Sequence, residues 1–316
     1  MPSAGKNRNS GLTGCRFCSG AAALFLLFGA FLLPVDAAGQ PLSPFRTGFS
    51  ADLLAGVNET DARAGLRAWG LTVAVDRGIP VEPDVRVFKN TREMQIALQK
   101  KEVDVVSVSS VEYAFLRRKV NFAPLFLVRM DGELAEEYLL VVHRSGPVKS
   151  IKDLAGRHIK CSTDARNCLA PLWIDTLLFR QGLGSLDSLA GRITRETQIT
   201  KILLPVFFRQ ADACIVTRNA FETMVELNPQ LGQQLSIIET SPAYVPAMMA
   251  FRADYQPPYL KDLLEGVRSL HQTAAGRQVL LIFNSERIEE HPAAILQPTL
   301  ELIEAHARLS KGKVPQ

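Results

Sequence analysis

Short apolar runs alternate with amphipathic stretches from about Phe45 onward. The run at residues 103–108 is rich in valine and is interrupted only by Asp104, a pattern typical of a buried strand. The stretch that begins near Asp164 has its apolar residues three and four positions apart, as on one face of a helix. This alternation predicts an α/β protein whose mostly parallel sheets are flanked by helices.

Turn and capping residues place the boundaries of the predicted elements. A helix is expected to begin at Asn90, because Glu93 completes a capping pattern. The helix that begins near Asp164 should end at Gly182. The segment after Pro258 is predicted to be helical to the end, with its last helix bent near Pro298. A further helix is predicted at residues 198–208, and further strands at residues 138–142, 158–161, 213–216, 235–238 and 247–251.

Residues 1–38 have the layout of a secretory signal peptide. Basic residues precede an unbroken apolar stretch at residues 21–33, and small residues follow it. The stretch is about 13 residues long, whereas a helix needs about 20 to cross a bilayer, and a membrane anchor is the alternative. Cys15 and Cys18 precede the stretch, so neither is placed for a lipid anchor. We expect cleavage after Ala37 or Ala38 and a mature protein that is free in the periplasm.

Charge and composition argue against several classes of protein. The formal net charge is +4, with lysine and arginine scattered along the chain rather than gathered into the basic patch of a nucleic-acid-binding protein. The five histidines lack the spacing of metal ligands. No glycine-rich phosphate loop and no hydrolase nucleophile motif occurs. We therefore expect no catalytic residues, no metal, no cofactor and no nucleic-acid partner, and we expect a monomer.

Cys161, Cys168 and Cys214 lie beyond the predicted signal peptide. Cys161 ends a predicted strand and Cys168 lies in the first turn of the following helix, so these two could form a disulfide in an oxidising compartment. A disulfide is one alternative. The other is a pair of free thiols, one of which acts as the nucleophile of a secreted enzyme.

Polar side chains follow three predicted strands at the points where each strand gives way to a helix. In open α/β sheets, ligands bind beyond the carboxyl ends of strands, where helix N-termini present unpaired N–H groups. Hydroxyls at such positions also serve as helix caps, Tyr113 could equally be a core aromatic residue, and Arg218 could be a surface residue. The candidate ligand-binding residues are Ser109, Ser110 and Tyr113 after the first strand, Ser162, Thr163 and Asn167 after the second, and Thr217 and Arg218 after the third.

Four segments resemble elements of one family of binding proteins. Residues 150–157 are Ser-Ile-Lys-Asp-Leu-Ala-Gly-Arg, similar to the Ser-x-x-Asp-Leu-x-Gly-Lys element of type II periplasmic binding proteins. Residues 102–113 resemble a Val-Asp strand that runs into a polar turn and a tyrosine. Residues 162–163 resemble a Ser/Thr-rich helix start, and residues 211–216 a Val-Asp-Ala-Ala strand. In this order they are similar to the phosphate/phosphite/phosphonate family of ABC-transporter substrate-binding proteins.

The resemblance implies two lobes, each a doubly wound, mostly parallel sheet with flanking helices, that close on a small oxyanion. Lobe one would comprise residues 39–138 and 244–316, and lobe two residues 139–243. An ABC-transporter permease would recognise the closed form; in the alternative, a receptor or kinase of a sensory system would do so. Relatives carry an acidic residue after the third strand where Thr217 and Arg218 stand here, which predicts that amine-free oxyanions bind better than aminoalkylphosphonates.

Overall fold

The computed structural model describes residues 43–54, 58–283 and 285–311. The predicted signal peptide, with Cys15 and Cys18, lies outside the described residues. Within the described ranges, no helix is both long enough and apolar enough to cross a membrane.

Strands and helices alternate along the described chain. The strands are β1 (Ser43–Ser50), β2 (Val81–Phe88), β3 (Val105–Ser109), β4 (Phe122–Arg129), β5 (Tyr138–His143), β6 (His158–Ser162), β7 (Arg192–Glu196), β8 (Ala213–Thr217), β9 (Leu235–Thr240), β10 (Ala247–Arg252) and β11 (Arg287–His291). The α-helices are α1 (Glu59–Asp76), α2 (Thr91–Gln99), α3 (Ser110–Leu116), α4 (Ala170–Arg180), α5 (Leu186–Leu189), α6 (Ile199–Phe207), α7 (Arg218–Leu227), α8 (Pro229–Gln234), α9 (Leu260–Arg268), α10 (Ala274–Ile282) and α11 (Gln297–Lys311). Short 3-10 helices lie at Ala51–Leu54, Ile151–Leu154, Ala165–Asn167, Leu270–Gln272 and Ala293–Leu296.

Lobe one is built on a sheet with the strand order β11-β4-β10-β3-β1-β2. β1 is parallel to β2 and β3, whereas β10 is antiparallel to β3 and β4, and β11 is antiparallel to β4. One face packs against α2, α3 and α11, and the other against α1 and α9. Helices therefore cover both faces of the sheet, which buries its apolar side chains from water.

Lobe two is built on a sheet with the strand order β7-β6-β8-β5-β9. β6 is parallel to β7 and β8, and β5 is antiparallel to β8 and β9. Every residue of β8 is buried, because its alternate side chains pack against α4 on one face and against α6 and α7 on the other. A valine- and isoleucine-rich run such as this is typical of a strand covered on both faces.

The two-lobed α/β fold expected from the resemblance is confirmed. Both sheets are mixed: β10 and β11 oppose the other strands of lobe one, and β5 opposes the other strands of lobe two. The chain passes between the lobes from β4 to β5 and from β9 to β10. Along these passages Glu136 and Tyr244 exchange backbone hydrogen bonds of 2.8 and 2.9 Å. The exact lobe boundaries proposed from the sequence stay a prediction.

Three local predictions were wrong. α4 begins at Ala170 rather than near Asp164, because Asp164 caps the 3-10 helix that precedes it. Residues 287–291 form the edge strand β11 rather than a helix. Pro298 lies in the first turn of α11 and not at a bend, and its missing N–H is tolerated there.

Asp104 is a fully buried carboxylate in lobe one. It accepts hydrogen bonds from Nε (2.9 Å), Nη2 (2.8 Å) and the backbone N–H (3.1 Å) of Arg46. Nη2 of Arg252 lies 3.5 Å away. Arg46 is in β1 and Arg252 in β10, so one carboxylate joins the ends of three adjacent strands. A buried charge needs such partners, because removing it from water is costly.

The C-terminal helix α11 contacts both lobes. It follows β11 of lobe one and packs against α3 and α4. Leu300 belongs to the core of lobe one, whereas Leu302 belongs to the lobe-two core that surrounds Trp173. The ring of His306 lies beside Phe179 of α4, with 5.8 Å between centroids. The C-terminal segment therefore packs on lobe two as well as on the lobe to which the sequence assigned it.

Candidate functional site

A cavity of about 360 Å³ lies beside the loop that follows β6. Its wall comes mainly from lobe two, from the end of β6, this loop and the first turns of α4. Asp52, which follows β1 in lobe one, also lines it. The cavity thus lies at the carboxyl end of a parallel strand, where ligands bind in open α/β sheets.

Asp164 organises the loop between β6 and α4. Its side chain accepts hydrogen bonds from the backbone N–H groups of Arg166 (2.9 Å) and Asn167 (3.2 Å) and from the hydroxyl of Ser162 (2.8 Å). A capping role was weighed for Ser162, Thr163 and Asp164, and Asp164 is the residue that caps the 3-10 helix. Ser162 and Thr163 both line the cavity, and the Thr163 hydroxyl has no partner among the described residues.

Arg166 connects this loop to the segment that links β4 of lobe one to β5 of lobe two. Its guanidinium pairs with the buried Glu136, with 2.5 Å between Nε and Oε1, and with Asp131. Its carbonyl accepts a 2.8 Å hydrogen bond from the Tyr138 hydroxyl. Burial raises the pKa of Glu136, and the neighbouring Arg166 opposes that rise. The loop that lines the cavity is thus held directly to the segment about which the lobes are joined.

Asn167 is 4% exposed and lines the same cavity. Its Nδ2 donates to both carboxylate oxygens of Asp164 at 3.0 Å. Its Oδ1 is buried and has no hydrogen-bond partner in the described part of the chain.

A second, smaller cavity of about 20 Å³ joins the junctions after β6 and β8. Ser162 and Asn167 line it from the first junction and Thr217 from the second. The hydroxyl of Thr217 also caps α7 by accepting a 3.3 Å hydrogen bond from the Ala220 N–H. Ile199, the first residue of α6, completes the wall, and α6 has no side-chain cap. The contribution of α6 was not predicted, because this helix start lacks a capping signal in the sequence.

The junction after β3 does not reach either cavity. Ser109 caps α3 together with Glu112, and the Ser110 hydroxyl donates to the Val245 carbonyl at 2.5 Å. Tyr113 is 5% exposed and packs in the lobe-one core against Phe122. Burial raises the pKa of its phenol. Ser109 and Tyr113 have the structural roles that were weighed as alternatives to ligand binding, whereas the Ser110 hydroxyl bonds Val245 and does not cap the helix.

Arg218 does not line either cavity. Its guanidinium pairs with Glu137 through Nε and with Glu222 through Nη1, the latter at 3.2 Å. Its backbone N–H donates to the Glu137 carbonyl at 2.8 Å. The predicted preference for amine-free ligands rested on the missing acidic residue at this position and on an Arg218 guanidinium in the cleft. Here the guanidinium is paired with Glu137 and Glu222 and lines neither cavity.

Carboxylates dominate the charge of the larger cavity. Arg195 is the cation among its described lining residues, and it pairs with Asp187 at 2.8 Å. Burial raises the pKa of Asp175, whose Oδ1 accepts a 2.7 Å hydrogen bond from the Leu186 N–H. The lining carboxylates are Asp52, Asp164, Asp175 and Asp187. An oxyanion here would be held by N–H and O–H donors rather than by a free cation, and an ammonium group would find partner charges.

Cys161 and Cys168 both line the larger cavity as free thiols, so the disulfide considered from the sequence is not formed. The thiol of Cys168 instead points to the Pro246 carbonyl, 3.6 Å away. Burial raises the pKa of Cys161 to about 11 and that of Cys168 to about 12. Both remain protonated at neutral pH, which makes them poor nucleophiles.

Solved structures with the same fold include several binding proteins. XAC2383 from Xanthomonas citri, bound to chloride ion, is 17% identical with a TM-score of 0.60, and the match covers 85% of this chain and 99% of that one. A binding protein component of an ABC phosphonate transporter from Pseudomonas aeruginosa is 12% identical with a TM-score of 0.55, covering 87% and 90%. PhnD1 from Prochlorococcus marinus, in complex with methylphosphonate, is 15% identical with a TM-score of 0.52, covering 86% and 99%.

A comparison with curated protein sequences finds no match. A family model does match, over residues 65–293, and its description is ABC transporter, phosphonate, periplasmic substrate-binding protein. The matched segment is more than half of the chain and includes the loop after β6, both passages between the lobes and the lining residues of the two cavities except Asp52. The chain belongs to the periplasmic substrate-binding proteins of phosphonate ABC transporters.

Proposed function

We propose that this protein captures a small oxyanion of the phosphonate class in the periplasm and delivers it to the permease of an ABC transporter. The ligand would lie in the larger cavity, with its oxygens toward Ser162 and Thr163. Binding and release require no covalent chemistry, in keeping with a family of transport proteins rather than enzymes.

One observation carries this proposal: the junctions after β6 and β8 meet at a pair of adjoining cavities. Ser162 and Asn167 belong to both cavities, so a ligand oxygen beside the loop can also approach the start of α6. Helix starts present unpaired N–H groups, and hydroxyls add donors that can turn toward an oxyanion. The methylphosphonate bound by PhnD1 from Prochlorococcus marinus, a protein of the same fold, supports this ligand class.

The carboxylate-rich wall bears on which members of the class bind. Asp52 and Asp164 are exposed and line the cavity, so an ammonium group on the ligand would meet opposite charge. We therefore expect 2-aminoethylphosphonate to bind at least as well as methylphosphonate. This expectation reverses the preference that was predicted from Thr217 and Arg218 standing where relatives carry an acidic residue.

Calorimetric titration of the purified mature protein tests the proposal. Methylphosphonate, phosphate, phosphite and 2-aminoethylphosphonate are the probes, and at least one of them should bind. Thr163→Val should weaken binding by about 1–3 kcal/mol, since it leaves a ligand oxygen without its donor, with little change in melting temperature. Thr240→Val, at an exposed site on β9, is the matched control and should leave the affinity unchanged. Binding of none of the probes would overturn the proposal.

The periplasmic location rests on the family and on the predicted signal peptide. Mass spectrometry of the mature protein from a periplasmic extract should give an N-terminus at Ala38 or Gly39. An intact N-terminus in the membrane fraction would instead indicate an anchored protein.

A further inference from the structure

Asn167 carries a hydrogen-bond acceptor that the protein itself does not use. Its Nδ2 lies 3.0 Å from each carboxylate oxygen of Asp164, and a carboxylate can only accept. The amide nitrogen must therefore face Asp164, which fixes the orientation of the side chain and turns Oδ1 away from that carboxylate. Oδ1 is buried and unpartnered among the described residues. Buried acceptors in proteins are normally satisfied, so this one points to a missing donor.

The smaller cavity limits what the missing donor can be. Its volume of about 20 Å³ holds one group the size of a water molecule. Asn167, whose Oδ1 is unpaired in the described part of the chain, lines this cavity, and so does Ile199 at the start of α6, which has no side-chain cap and offers N–H donors. A hydroxyl satisfies both sides, because it accepts from one and donates to the other. A bare anionic oxygen satisfies only the helix start and leaves Oδ1 without a hydrogen.

We propose that Asn167 determines specificity by accepting a hydrogen from the P–OH group of the bound ligand. The inference rests on the proposed function and names its ligand class more closely: oxyanions that carry a proton when bound. Singly protonated phosphonates, phosphate and phosphite qualify. Sulfonates, which are fully ionised and have no O–H, leave the acceptor unpaired, as does the dianionic form of a phosphonate.

The charge of the larger cavity favours the same class. Asp52 and Asp164 line it, and its cation Arg195 is already paired with Asp187. A doubly charged oxyanion would therefore bring two negative charges beside carboxylates with no free cation to balance them. A singly protonated phosphonate or phosphite has half that charge and supplies the hydrogen that Oδ1 lacks.

The test is calorimetric titration of the mature protein with methylphosphonate and methanesulfonate, between about pH 5.5 and about pH 8.5, a range that spans the second ionisation of the phosphonate. Methanesulfonate should bind about 10- to 100-fold more weakly than methylphosphonate at the acidic end, the effect of one unsatisfied buried acceptor. The affinity for methylphosphonate should fall as its P–OH ionises. Methanesulfonate does not titrate in this range, so the ratio of the two affinities isolates the proton of the ligand.

Protonation changes of the protein's own groups act on both ligands, so they cancel in the ratio of the methylphosphonate and methanesulfonate affinities. Arg195 faces the cavity, and His306 of α11 faces Asp175, with 3.7 Å between Nε2 and Oδ2. Arg166 adjoins Asn167 along the loop. The remaining titratable groups that line the larger cavity with Asn167 are Asp52, Asp164, Asp175, Asp187, Cys161 and Cys168.

A variant at position 167 separates recognition of the proton from support of the fold. Asn167→Leu keeps the size of the side chain but has no acceptor, so the affinity ratio should approach one at the acidic end, where both ligands carry one negative charge. At the basic end the lining carboxylates still disfavour the methylphosphonate dianion in this variant. Asn228→Leu removes a helix-capping amide of α8 outside both cavities, and should keep the wild-type ratio. If Asn167→Leu does not fold, the wild-type ratio at the acidic end, where both ligands carry one negative charge and only one has an O–H, still decides the matter.

Ligands that bear an amine distinguish the two possible hydrogen-bond donors to Oδ1 of Asn167, a P–OH group and an ammonium N–H. Taurine has an ammonium group but no P–OH, and 2-aminoethylphosphonate has both. Tight binding of taurine, at the level of 2-aminoethylphosphonate, would show that an N–H serves and would overturn the proposal. A wild-type protein that binds methanesulfonate and methylphosphonate equally would also overturn it, yet leave the proposed function standing. Failure of all of these oxyanions to bind would overturn both.

Discussion

Replacement of Asp104 by alanine should destabilise lobe one by about 3 kcal/mol. Breaking a buried ion pair by removing one partner costs about 3–5 kcal/mol, because the remaining charge is left buried without compensation. Two features place the expected loss for Asp104→Ala at the lower end of this range. The side chain of Arg46 is 32% exposed and can turn to water, whereas that of Arg252 is 8% exposed but retains Asp254 at 2.7 Å. The backbone N–H of Arg46 also loses its acceptor.

Urea denaturation followed by tryptophan fluorescence and circular dichroism measures this loss. Trp69 lies in α1 of lobe one and Trp173 in α4 of lobe two, so the emission reports on both lobes. Asp254→Ala is the control, because that carboxylate bonds the same arginine from a side chain that is 50% exposed, and it should cost less than about 1 kcal/mol. A loss below about 1 kcal/mol for Asp104→Ala, or equal losses for both variants, would refute the reasoning.

Three further outcomes are expected. Arg218→Ala should leave the affinity for methylphosphonate within about twofold, since this arginine is held by Glu137 and Glu222 outside the cavities, and a tenfold loss would contradict that placement. Cys161 and Cys168 should react slowly with a thiol reagent near neutral pH because burial raises the pKa of both, and more slowly with ligand bound; a fast-reacting thiol would revive the enzyme hypothesis. The hydrogen bond from Arg129 lowers the pKa of Glu289 to about 2, so its contribution to stability is present above the ordinary value of about 4.3 and is lost as the pH falls toward about 2. Glu289→Gln should therefore flatten the melting-temperature curve in that acid range, and an unchanged curve would contradict this role.

The strands that the sequence predicted are the ones with strong apolar signals. The valine-rich run before Ser109 and the run at residues 213–216 are central strands, buried on both faces, and their boundaries agree with the prediction to within two residues. β11 was missed because Arg-Ile-Glu-Glu-His carries the charges that protect a sheet edge and has little apolar periodicity. The start of α4 was misplaced because a capping aspartate marks a 3-10 helix as readily as an α-helix.

The candidate site was only partly predictable for a related reason. Ser162, Asn167 and Thr217 follow strand ends, and the parallel arrangement of β6 and β8 brings such positions to the same edge. Arg218 also follows a strand end, but its partner Glu137 is 81 residues away and could not be inferred from local sequence. The carboxylates of the wall come from separate elements in both lobes, so their convergence depends on tertiary structure alone.

The position of α11 has a mechanical consequence for opening and closing. Rotation of lobe two relative to lobe one must move α11 relative to either α4 or α3, because α11 packs against both helices. Separating Leu302 from the lobe-two core would expose a side chain that is 4% exposed, at a cost of about 1.5–3 kcal/mol. Small shear displacements that keep this contact are therefore favoured over wide hinge opening. We therefore expect the C-terminal helix to limit the amplitude of the motion, and with it the size of a ligand that can enter and leave.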